Sequence, residues 1–222
     1  SGTQYTPEKG WDENKLDMFR RHIIQLGTTG VFVIYDELEG KEAVTWSYLL
    51  HTVELPMEIQ ELTDEVKVIG KNKAGGVSVA HLFSSAKTEQ AMVDTFFCAP
   101  TNWKNVTNAQ GKALKYPNHW HFSSTTVPCK TARFLTVMGT HGKNRPDMQV
   151  VRKGNTIQVG DWTITCNLTE KGKAAIYVIN KTEKVSLNYD AGKKEGATIV
   201  TDQVKGKQVT KVLIDYLPDF EI

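Results

Sequence analysis

Asn118-His119-Trp120-His121 is the densest cluster of chemically able side chains in the sequence, two imidazoles two residues apart around an indole. On a strand that spacing puts both imidazoles on one face and the tryptophan on the other. Same-face histidines can share a zinc ion when a carboxylate or a third histidine arrives from elsewhere. Packing and hydrogen bonding are the commoner use of such pairs in sheets, and no catalytic or metal ligand is assigned. Just upstream, Ala99–Asn118 is the longest polar excursion of the chain and contains Asn102, Trp103 and Tyr116. Connections of roughly this length are uncommon in compact domains and often carry function. Aromatic rings stack on the apolar faces of sugars while neighbouring polar groups bond hydroxyls. Asn102, Trp103, Tyr116, His119, Trp120 and His121 are therefore the candidate substrate-binding residues.

Other chemistry is less well supported. The chain has no Gly-x-Ser-x-Gly elbow, no phosphate-cradling Gly-x-x-x-x-Gly-Lys and no His-Glu-x-x-His, which removes the commonest hydrolase and nucleotide-binding explanations. Asp36 and Glu37 offer paired carboxylates, a glycoside-hydrolase arrangement if the two faced each other across a cleft. Cys98, Cys129 and Cys166 are widely spaced and odd in number, so structural thiols are the simplest reading and a Cys98–Cys129 bridge the alternative.

The elements that would position these groups are strands. Val31-Phe32-Val33-Ile34-Tyr35 and Val44–His51 are β-branched and aromatic runs on either side of Glu39-Gly40-Lys41, which reads as a hairpin. Leu16–Leu26 fits alternation and supplies a further strand. More runs follow at short spacing: Glu65–Ile69, Gly76–Phe83, Met92–Cys98, Trp120–Thr126, Ala132–Met138 and Gln149–Arg152. Beyond them Thr156–Val159, Trp162–Asn167, Ala174–Asn180, Lys184–Tyr189, Ala197–Thr201 and Gln208–Ile214 read as a meander. Regular short strands separated by turn residues predict an all-β antiparallel β-sandwich. One domain over 1–222 is expected, with main sheets over 1–145 and C-terminal strands over 146–222.

The 222 residues are 40% hydrophobic and 23% charged, ordinary globular values that exclude disorder, collagen and coiled coil. Net charge is only +2, which argues against bulk nucleic acid as partner. The balance is uneven: residues 1–111 carry a net −5 and residues 112–222 a net +7. The basic half suits an anionic ligand. No apolar stretch reaches the roughly 18 residues needed to cross a membrane, and Ser1-Gly2 in place of an initiator Met leads to the expectation of a piece of a longer protein.

Phe19-Arg20-Arg21-His22-Ile23-Ile24, Val31–Leu38 and Val44–His51 together resemble the β-sheet region of the heparinase II/III-like polysaccharide lyases. Tyr116-Pro117-Asn118-His119-Trp120-His121 and Ala132–Val137 add a second matching block in the same order. The resemblance covers residues 17–140 and extends beyond only as a strand pattern. It implies a bacterial periplasmic or secreted enzyme with a helical toroid before its sandwich, cleaving heparin-type uronic-acid glycans by β-elimination. A Tyr or His base takes the C5 proton while the neighbouring carboxylate is neutralised. In that family these groups come mainly from the toroid, and the zinc site is expected upstream of residue 1, so His22 and His51 receive no role and no cofactor is expected here.

The expected function is thus that of the lyase's sandwich domain, supporting the missing toroid and forming one wall of the cleft for an acidic polysaccharide, inactive alone. The alternative is a stand-alone carbohydrate-binding or adhesion module.

Overall fold

In a computed structural model the described residues are 5–6, 10–11, 16–52, 55–94, 109–112, 119–193, 198–204 and 207–213. Their regular structure is entirely strand. The first half contains β1 (Tyr5–Thr6), β2 (Gly10–Trp11), β3 (Leu16–Gln25), β4 (Val31–Val44), β5 (Ser47–Thr52), β6 (Glu58–Leu62), β7 (Glu65–Lys71), β8 (Gly76–Ser84) and β9 (Thr88–Val93). The second contains β10 (Trp120–Thr126), β11 (Cys129–Gly142), β12 (Val150–Lys153), β13 (Thr156–Val159), β14 (Trp162–Cys166), β15 (Ala175–Asn180), β16 (Val185–Asp190), β17 (Thr198–Val204) and β18 (Lys207–Leu213).

Apart from the β1–β2 pair, the strands build three antiparallel sheets. A six-stranded sheet runs β3-β4-β11-β8-β7-β6, a three-stranded sheet runs β5-β10-β9, and β12 to β18 form a seven-stranded meander. Alternation along β11 explains how they stack. Leu135 and Val137 enter one core with Ile157, Ile164, Ile176 and Val178 of the meander. Ala132 and Phe134 enter another with Tyr48 and Phe122 of the three-stranded sheet. The six-stranded sheet is therefore the middle layer of a sandwich, covered on both faces, and its central strands show continuous burial from Ala132 to Val137 rather than the half-buried alternation of β3. Two-sided covering is what such unbroken runs require.

The expected hairpin at Glu39-Gly40-Lys41 is not formed. β4 continues through Gly40 to Val44, with register shifts on both of its neighbours, between Leu16 and Met18 and between Cys129 and Thr131. The irregularity absorbs the residues that read as a turn. β5 then pairs with β10 instead of β4. Trp46 pins the crossing: its backbone N–H donates to Thr126 Oγ1 at 3.0 Å and its indole N–H to the Cys129 carbonyl at 3.1 Å. The passage from β10 to β11 between the same two sheets is thereby held at the same corner. Two further differences are local. β9 starts at Thr88, before the predicted Met92–Cys98, whose residues from 95 on lie outside the described residues, and the polar edge strand β6 had no apolar alternation to announce it. Charged residues on such an edge discourage pairing with a second chain.

Candidate functional site

The histidine strand is β10, and its register decides what it meets. Trp120 pairs with Thr52 and His121 with His51, so the two imidazoles stand directly across one rung. Their ring centroids are 4.2 Å apart in an edge-on arrangement. Partial burial, then the neighbouring His121 and His119, hold His51 below the ordinary histidine value. His121 is only 7% exposed. Trp120 packs against the core around Phe122 and Phe134, so its position is explained by burial. Asn102, Trp103 and Tyr116 lie outside the described residues, as does Cys98; Cys129 and Cys166 are free thiols.

His51 and Thr52 also form part of the wall of a groove of about 860 Å³, completed by the β7–β8 turn and the end of β11. Lys71, Asn72, His141 and Arg145 line it, and none of its lining residues is a carboxylate. The local sequence makes the shape. Asn72 Oδ1 accepts the Gly76 backbone N–H at 2.7 Å, and Gly75 takes a φ of 89°, a value that glycine adopts without strain. At Gly70 a Cβ would lie 2.7 Å from Ser78 Oγ and 3.1 Å from Thr52 Cγ2, so only glycine lets these walls approach.

His141 is fixed on both sides. Its Nδ1 lies 2.8 Å from the Gly142 carbonyl and its Nε2 lies 3.0 Å from Asp147 Oδ1. Lys67 Nζ donates to the other Asp147 oxygen at 2.9 Å, and this bond is the main reason the Asp147 carboxyl is held below its usual range. Lys71 reaches Glu58 at 3.6 Å with both side chains more than half exposed, a pairing worth little in water. The groove is thus a basic, hydroxyl-lined surface able to bind an anion. Among the described residues no three His, Cys, Asp or Glu side chains come together to hold a metal ion.

The paired-carboxylate reading meets a geometric obstacle. Asp36 and Glu37 are consecutive on β4 and point to opposite faces of the middle sheet. Asp36 receives Arg21 Nε and Nη2 at 2.6 and 2.7 Å. Glu37 receives the Tyr189 hydroxyl at 2.8 Å and lies 3.6 Å from Arg20. They cannot flank one bond.

Those buried groups carry a pH prediction. Burial, reinforced by Glu37, pushes the Tyr189 phenol up to about 12, and burial pushes the Cys166 thiol up to about 12. Tyr35 and Tyr48 are raised by the same cause. In each case the folded protein keeps a proton that the unfolded chain releases near pH 9 or 10. Stability from these groups is full below that range and lost as pH rises through it toward the folded values. The thermal midpoint should hold to about pH 8.5 and fall steadily toward pH 11. Phenolate absorbance for all of these tyrosines near pH 10 with the fold intact would contradict this.

No protein-family model matches the chain, and no curated protein matches it. The site therefore rests on its own geometry. Of the candidates read from sequence, His119 and His121 come together with His51; Lys71, Asn72, His141 and Arg145 were missed. Only the excess of positive charge in the second half hinted at Arg145, because the four arrive from two separate strand ends, those of β7 and β11.

Proposed function

We propose that this chain is the β-sandwich domain of a heparinase II/III-like polysaccharide lyase, whose basic groove holds an acidic, uronate-bearing glycan of the heparin type along one wall of the cleft. The observation that carries this reading is the groove beside the histidine strand, with Lys71, Arg145, His51 and His141 and without a lining carboxylate. Guanidinium and ammonium groups bind sulfate and carboxylate through charge-assisted hydrogen bonds, and the Thr52, Ser78 and Thr140 hydroxyls suit sugar hydroxyls. In this reading the proton-abstracting base lies in the helical toroid of the parent enzyme, which acts in the bacterial periplasm or outside the cell. The chain alone binds without cleaving.

The test is retention on immobilised heparin beside neutral dextran. The chain should bind heparin, elute with salt and ignore dextran. Lys71→Ala with Arg145→Ala should weaken heparin binding about a hundredfold, given roughly 1.5 kcal/mol for each charged hydrogen bond. No heparin retention at low salt, or retention untouched by the double substitution, sinks the proposal. Turnover of heparin by this chain alone, followed through absorbance of the unsaturated product, would overturn the assignment of the base to another domain.

A further inference from the structure

We infer that the groove takes up protons together with its anionic ligand, so that a sulfated glycan is captured more tightly as the surroundings turn acidic. The inference rests on the glycan-binding reading of the same groove and adds its regulation.

Four of the six histidines of the chain, His51, His119, His121 and His141, gather at or beside this groove. His51 is at once a wall residue and the ring facing His121 across the β5–β10 rung. Two imidazoles at this distance repel each other when both are charged, which opposes their protonation. A bound polyanion offsets that repulsion. Anion binding therefore raises the proton affinity of the cluster, and by thermodynamic reciprocity protonation raises the affinity for the anion.

The charged groups around the cluster leave room for this effect. On β5, His51 is the sole ionisable residue apart from Tyr48. On β9, Val93 stands opposite His121 and Asp94 follows it. On β7, Lys71 is shared with Glu58 of β6. From the end of β11 come His141 and, beyond it, Arg145, while the nearby Asp147 is bound by both Lys67 and His141. Among the described residues Asp94 and Glu58 are thus left to soften the charging of the rings, and both lie outside the groove lining. The low proton affinity of His51 in the free protein leaves it neutral near pH 7.

Calorimetric titration with heparin tests the inference, because sulfate groups stay ionised across the range and any titration belongs to the protein. At pH 6, measurements in buffers of different ionisation enthalpy should show net proton uptake on binding. The dissociation constant at pH 5.5 should be about fivefold or more below that at pH 7.5, the lower end of ordinary linkage effects. His51→Gln, a change at an exposed residue, should reduce both the uptake and the acid gain. Heparin binding without proton uptake, or uptake unaltered in His51→Gln, overturns the inference while the glycan reading stands. No heparin binding at either pH overturns both.

Discussion

Glu37→Leu is expected to destabilise the protein by about 3 to 5 kcal/mol, the range for removing one partner of a buried ion pair. Glu37 is 5% exposed and occupies the middle of a rung flanked by Arg20 on β3 and Arg133 on β11. Arg133 is 3% exposed, and its guanidinium donates to the carbonyls of Thr169 at 2.5 Å and Gly172 at 2.6 Å. Neither acceptor carries a full charge, and the ion pair that Glu37 makes is with Arg20 at 3.6 Å. The loss of Glu37 also takes away the acceptor of the Tyr189 hydroxyl of the meander, which keeps only the bond it accepts from Arg20. Glu37→Gln keeps an acceptor for that hydroxyl and should cost less. Urea unfolding curves of the two variants would separate the effects. A cost below about 1 kcal/mol for Glu37→Leu would mean that Arg20 and Tyr189 find other partners without it.

Phe122→Ala should cost a similar amount, about 3 to 5 kcal/mol for a fully buried aromatic ring. Phe122 is 0% exposed and lies in the core between the three-stranded and six-stranded sheets. It pairs with Leu50, the residue before His51 of the groove wall, so the cavity opens beside the strand that carries that wall. Heparin binding should therefore weaken in the same variant at temperatures where the far-ultraviolet spectrum is still native. Tyr177→Ala, on an exposed position of β15, should change stability by no more than about 0.5 kcal/mol and leave heparin binding alone. Full heparin affinity in a destabilised Phe122→Ala would separate the groove from the packing beneath it.

The strand content was legible because side-chain alternation and β-branched runs are local signals. Trp120–Thr126 and Thr156–Val159 match β10 and β13 to the residue. Partner choice was not legible at β4, since Gly40 serves a bulge as readily as a turn and only the tertiary route through Trp46 tells them apart. The candidate site was legible in part. His119 and His121 are near neighbours in sequence, whereas His51, Lys71 and Arg145 meet them only after β5, β7 and β11 of two sheets have been assembled. The opposite orientations of Asp36 and Glu37 follow from strand geometry alone, once β4 is known to be extended at that point.

The strand order also sets a timetable for assembly. Every neighbouring pair in the meander is consecutive in the chain, so it can zip up from hairpins as it emerges. The middle sheet cannot. β3–β4 and β6–β7–β8 are two separate ribbons until β11 arrives to lie between β4 and β8, and until then each presents an open edge. Pairings so distant in sequence are slow to form and leave edges exposed to other chains meanwhile. During synthesis the interval between residues 84 and 129 is therefore when this protein is most exposed to misassembly, and β11 is the strand that ends it.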